Sequence, residues 1–244
     1  MCLSIARNFA VLVLSVVGIA SLSYAGPIVT VPPGLTPGTQ YRLVFVTVDI
    51  YSATSSSIAT YNTDVNNEAN NLGGDTGSLL AFLGTTWLDI GSTAAVNAID
   101  NIGQDPGVPI YDLLGDMVAN DATAGAGGIF SPSHDIFTTD TGATCAAPGF
   151  VWTGTNSSTG TVDSTHGLGQ TPAEYGRCSY TGASAIANGQ QAGTNSTMLY
   201  GISGVLVVPA PEPASTEMVI AGAALLFISR KWFHRNGRAT PKLH

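Results

Sequence analysis

The middle of this chain predicts one domain that mixes strands with a few short helices, and three stretches carry that reading. Tyr41-Arg42-Leu43-Val44-Phe45-Val46-Thr47-Val48 is dense in β-branched and aromatic residues, the composition of a buried strand. Ile58, Tyr61, Val65, Ala69 and Leu72 recur at spacings of 3, 4, 4 and 3, which puts them on one helical face and makes that stripe core. Met198 to Val208 is apolar and interrupted only by glycine and serine, as in a closing strand or hairpin.

The remaining elements follow in order. Pro27 to Gly38 is a Pro/Gly/Thr-rich lead-in to the first strand. Ser55, Ser56 and Ser57 are cap candidates for the first helix, and Gly73-Gly74 is the expected stop after Leu72. Leu79-Leu80-Ala81-Phe82-Leu83 reads as a short helical turn, and Ser92 as the cap of a second short helix carrying Val96 and Ile99. Val108-Pro109-Ile110-Tyr111 is a short strand behind the turn at Pro106-Gly107. From Ala119 to Gly149 the composition shifts to Gly, Ala, Thr, Ser and Asp, predicting long loops. Phe150-Val151-Trp152-Thr153-Gly154-Thr155 restores strand character, Asn156 to Gly160 is a turn, and Cys178 to Thr197 is again loop-rich.

The two ends carry different signals. Arg7, an uncharged apolar run from Phe9 to Ile19 and then Ser23-Tyr24-Ala25 have the three regions of a secretory signal peptide, so residues 1–25 are expected to be removed. At the other end a Pro-rich linker, 209–215, contains Pro211-Glu212-Pro213 and leads into an apolar segment, 216–229, read as a membrane helix. Pro211 and Pro213 hold that linker extended and present Glu212. The uncharged stretch Met218 to Ile228 is shorter than the ~20 residues that span a bilayer unaided. Arg230, Lys231 and Arg235, in the basic tail 230–244, keep that end cytoplasmic by the positive-inside rule. An ordinary anchor behind a Pro-rich linker is the plainer reading. In its order of parts the tail resembles the PEP-CTERM sorting signal of exported bacterial proteins. That resemblance implies recognition by an exosortase, export across the inner membrane of a Gram-negative bacterium, transient anchoring, and delivery to the cell surface or extracellular matrix.

Charge narrows what the exported domain, 26–208, can bind. Six of the eight Lys and Arg lie in the terminal segments, leaving Arg42 and Arg177 against sixteen acids between Gly26 and Glu217, a formal charge of -14. So few cations cannot neutralise phosphates, which argues against nucleic acid and other polyanions. Neutral glycans, cations and other proteins are the partners left. Cys2 falls in the signal peptide, and Cys145 and Cys178 are then most simply one disulfide.

Candidate chemistry is sparse. His134-Asp135 and Asp163-Ser164-Thr165-His166 invite a metal site or a Ser/His/Asp hydrolase, but both lie in expected loops, with no nucleophile elbow or H-E-x-x-H helix around them. Asp112, Asp116 and Asp121 could offer hard oxygens to calcium, the one cofactor considered, without the glycine and terminal glutamate of an EF-hand loop. Trp152 reads as a core residue of its strand rather than a sugar-stacking platform. No catalytic residues are assigned, and the chain is expected to be a non-enzyme.

Tyr41 to Val48, Ser57 to Leu72, Leu80-Ala81-Phe82-Leu83, Val108 to Leu113, Val151-Trp152-Thr153-Gly154 and Leu199-Tyr200-Gly201-Ile202 occur in an order that resembles an endostatin-like version of the C-type-lectin-like fold. The resemblance implies an α+β domain with a small twisted antiparallel sheet, two flanking helices and long loops. It places a family cysteine at Cys178, with Cys145 as a nonstandard partner, and Gly201 stands where the closing strand usually carries a cysteine. The Glu-Pro-Asn and Trp-Asn-Asp signatures of calcium-dependent lectins are absent, as is the basic surface of endostatin, so neither function transfers with the fold. The expectation is an adhesive or structural surface protein, with glycan binding as the alternative and a secreted hydrolase third.

Overall fold

The structure is a computed structural model and describes residues 27–72 and 77–210. The expected signal peptide, Gly73-Gly74, the Pro211-Glu212-Pro213 motif, the membrane helix and the basic residues Arg230, Lys231 and Arg235 lie outside the described residues. No helix among the described residues is long and apolar enough to cross a membrane.

The chain runs through β1 (Gln40–Val46), β2 (Tyr51–Ser52), α1 (Ile58–Ala69), a 3-10 turn (Ala81–Leu83), β3 (Trp87–Asp89), α2 (Ala98–Ile102), β4 (Ile110–Tyr111) and β5 (Met117–Ala119). After a long irregular segment come β6 (Phe150–Trp152), β7 (Ala173–Arg177), α3 (Ala183–Ile186), β8 (Gly189–Gln191), β9 (Ser196–Thr197), β10 (Tyr200–Ser203) and β11 (Leu206–Val207). The domain is α+β. Its main sheet has the order β3-β10-β1-β4-β5, with β11 on the first residues of β1. Two smaller sheets are β6-β7-β8 and β2-β9.

β1 is the axis because its apolar run is buried on both faces, Leu43 to Val46 having no exposed surface. The pleat sends Leu43 and Phe45 toward α1, where they pack with Tyr61, Val65, Trp87 and Leu199. Val44 and Val46 point the other way, onto Ile110, Phe130, Ile136 and Ile202. β10 pairs antiparallel with β1, Phe45 opposite Gly201, and so joins the two ends of the domain. Gly201 is required by the close approach of α1: a Cβ there would collide with the Phe45 ring and come within 2.8 Å of Val65 Cγ1.

Several expectations need correction. The sheet is not wholly antiparallel, because β4 runs parallel to β1, Arg42 opposite Ile110. α1 stops at Ala69, and Leu72 is exposed rather than part of the stripe. The stop is a Schellman-type closure: Asn71 takes a left-handed φ of 54°, Leu72 N–H donates to Asn67 O at 2.8 Å and Asn71 N–H to Glu68 O at 3.2 Å. Asn71 therefore does the work assigned to the two glycines. α2 carries Ile99 but not Val96, and Ser92 reaches it from outside, its Oγ accepting from Ala98 N–H at 2.8 Å. α3 and β8 fall in the stretch from Cys178 to Thr197 read as loop, and β7 precedes it, where the sequence suggested no element. β7 holds Glu174 and Gly176 and lacks the β-branched density of β1; Gly176 is needed because the α3 backbone passes directly against it. The long segment between β5 and β6 is irregular as expected, yet it places Ile129, Phe130 and Ile136 in the core.

Arg42 is buried inside this framework. Its Nε donates to Ser203 O at 2.6 Å and its Nη1 to Ile102 O at 2.9 Å and to Asp105 at 3.0 Å, tying β1, β10 and the end of α2 together. Burial pulls its pKa down while Asp105 opposes the change.

Candidate binding cleft and buried carboxyl groups

Cys145 and Cys178 stand at disulfide distance, with Cα atoms 6.6 Å apart. Gly149 fits beneath the two sulfurs at φ 75°, where a Cβ would lie 2.8 Å from Cys178 Sγ, and Gly149 O accepts from Cys178 N–H at 3.0 Å. The bridge therefore holds the 145–150 loop against the end of β7.

That loop is one wall of a cleft of about 500 Å³. Val48 and Ile50, just beyond β1, also line it, together with Gln191, Asn195 and the β9 residues Ser196 and Thr197, whose strand pairs with β2 directly after Ile50. No lining side chain carries a charge. Val48 and Ile50 are 49% and 62% exposed, so an apolar surface lies open to solvent beside a row of amides and hydroxyls. Phe150 borders the cleft and is braced by Tyr175, ring centroids 4.6 Å apart, and by the Arg177 guanidinium 4.5 Å above its ring. With Arg42 buried, Arg177 is the one cation of the described residues near the surface, and it is spent on this bracing and on Asn188. Trp152, at the end of the same strand, is fully buried and donates through Nε1 to Tyr51 O at 2.9 Å.

The two histidine turns do not come together. His166 Nδ1 sits 3.2 Å from Asp163 and 3.0 Å from Gln190 Nε2, and no serine or cysteine among the described residues bonds to that ring. Ser164, in the same turn as Asp163 and His166, donates its N–H to Val162 O. His134 instead lies beside Asp116 and Asp135. Asp112 and Asp116 are neighbours at the β4–β5 turn, whereas Asp121 is taken up by Thr123 and Gly107.

A carboxyl pair invisible in the sequence lies at the end of β1. Glu68, on α1, accepts from Val48 N–H, from Asp49 N–H at 3.2 Å and from Tyr51 Oη–H at 2.8 Å. Asp140 is its close electrostatic neighbour, both residues are buried, and Asp140 Oδ1 has no hydrogen-bond partner among the described residues. Burial drives both pKa values upward, to about 8 for Glu68 and about 6 for Asp140, and the charge of Asp140 adds to the rise at Glu68. Glu68 reads as a solvated helix position until the chain past β1 folds over it. Asp89 is also buried, with neither carboxyl oxygen hydrogen-bonded, and burial followed by the charge of Asp64 raises its pKa well above the usual range.

Comparison with known proteins returns no family model that matches the chain and no curated protein that matches it.

Proposed function

We propose that this chain is an exported, non-enzymatic surface or matrix protein whose domain makes adhesive contacts through the neutral cleft, with an uncharged polysaccharide as the ligand. The observation that carries this is the cleft itself: an uncharged site with exposed apolar residues, amides and an aromatic edge, on a domain of strongly negative charge. Apolar faces of sugar rings pack on such side chains while amides and hydroxyls meet ring hydroxyls. Anionic ligands are disfavoured by the net negative charge of the domain.

The address is a separate part of the reading. The Pro211-Glu212-Pro213 motif, the apolar segment behind it and Arg230, Lys231 and Arg235 support sorting by an exosortase after export under the N-terminal signal. A C-type-lectin-like, endostatin-like identity for the domain is supported by its α+β composition, by α1 and α2 beside the sheet and by the long irregular segment. The parallel β1–β4 pair is a departure from the antiparallel sheet which that resemblance implies.

Binding of the folded protein to an array of neutral glycans, with and without calcium, tests the cleft. Ile50→Asp should abolish the signal while leaving the circular dichroism spectrum unchanged, and a blank array from folded wild-type protein would sink the glycan reading. Mass spectrometry of the C-terminus of secreted material tests sorting. A mature chain that keeps Arg230 to His244 in the membrane would rule out processing.

A further inference from the structure

A second site lies away from the cleft, where the β4–β5 turn meets the loop that follows β5. Asp112 closes β4, Asp116 opens β5, and His134 is held beside them because Ser133 donates twice to Val118 O, from N–H at 2.8 Å and from Oγ at 3.0 Å. One carboxylate oxygen from each aspartate and one ring nitrogen of His134 lie within 4.8 Å of one another.

We propose that Asp112, Asp116 and His134 form a binding site for a divalent transition-metal ion of the zinc class. Asp112 carries the argument furthest. The residue is 1% exposed, and although its Oδ1 accepts from Leu114 and Asp116 N–H at 2.9 Å each, its buried Oδ2 has no hydrogen-bond partner among the described residues. A buried carboxylate oxygen without a donor is unfavourable, and a cation supplies the missing partner.

His134 is set up as the nitrogen ligand. Its Nδ1 is 3.1 Å from both the carbonyl and Oδ1 of Asp135, and its Nε2 lies 3.9 Å from Asp116 Oδ2. With the Nδ1–H donated to Asp135, the Nε2 lone pair faces the aspartates, the carboxylate–histidine–metal arrangement that fixes the tautomer of ligating imidazoles. Metal bonds of about 2.0 to 2.2 Å put neighbouring tetrahedral ligand atoms roughly 3.4 Å apart. The 3.9 Å separation closes by rotation of His134 and Asp116, whose side chains are 43% and 60% exposed. Two carboxylates neutralise the ion, and the acidic surface concentrates cations around it. Calcium, which takes six to eight oxygens and no imidazole, fits this donor set poorly.

The test uses untagged full-length protein, stripped by chelator under non-oxidising, non-reducing buffer and dialysed separately against zinc, manganese and calcium. Bound metal is measured by mass spectrometry, and cobalt is added as a spectroscopic probe. The expected result is one equivalent of zinc, visible cobalt d–d bands, and affinity weakened by at least about tenfold in His134→Ala and Asp116→Asn. Asp121→Asn should bind as wild type. Because Asp112 also ties its own turn, the exposed His134→Ala variant decides the matter, with a zinc-induced rise in melting temperature that it should lack. Failure to retain zinc, equal retention by His134→Ala, or preferential uptake of calcium would each overturn the proposal; the first would leave His134 as a bridge between two aspartates.

Discussion

Two groups of carboxyls in this domain have similar composition and opposite settings. Glu68 and Asp140 are closed in: three donors converge on Glu68, Asp140 lies close enough to raise its pKa, and both are buried. Asp112, Asp116 and His134 are half open: Asp112 Oδ2 is buried without a hydrogen-bond partner, as is Asp140 Oδ1, but here two of the side chains reach solvent. The difference teaches that what an acid does is set by the donors and access around it. The closed pair fastens the chain beyond β1 to α1, while the open group is left able to accept an ion. Neither lines the cleft.

The largest loss of stability is expected at Glu68. Glu68→Ala strips a buried acceptor from Val48 N–H, Asp49 N–H and Tyr51 Oη–H, so urea denaturation should show a loss of about 3 to 5 kcal/mol. Glu68→Gln retains most of the shape and should cost less than half as much.

A smaller effect is expected from pH. Folded Glu68 and Asp140 have pKa values raised by burial, so the folded state holds more protons than the unfolded chain above the ordinary carboxylate range. The pair's contribution to stability is therefore fullest at or below about pH 4 and declines as pH rises through neutrality, by about 1 to 3 kcal/mol between about pH 5 and pH 8. Denaturation midpoints across that interval measure it; a flat profile, or one that survives in Glu68→Gln, would assign the protons elsewhere.

Asp89 sharpens the contrast, since it is buried with no hydrogen bonds and no opening. Asp89→Asn removes the group that resists ionisation and should raise stability by about 1 kcal/mol at about pH 8, with little change in acid. The smallest effect belongs to the open group: without metal, His134→Ala should shift stability by less than about 0.5 kcal/mol, because the side chain is 43% exposed.

Elements built on strong local patterns were legible. β1 announces itself by composition, the α1 stripe by spacing and the Ala81–Leu83 turn by its leucines, because these signals arise within a few residues. β7 was not, since Ala173-Glu174-Tyr175-Gly176-Arg177 has little strand propensity and is held by β6 and β8 on either side. The candidate sites divide the same way. Asp112, Asp116 and His134 each stood out as a residue type, but Asp121 looked an equal partner and Asp135 looked equivalent to Asp163. Glu68 and Asp140 are 72 positions apart in sequence and carried no signal at all.

By itself the sequence determined the strand-and-helix character of the domain, its acidity, the pairing candidates Cys145 and Cys178, and the tripartite pattern at each end. Those properties depend on residue type and short-range order, which survive without coordinates. Only the tertiary structure decided that Val48 and Ile50 line a neutral cleft with the disulfide loop, that β4 joins β1 in parallel, and which aspartates stand together. Closing such long loops brings distant residues into contact at a cost that no local pattern records.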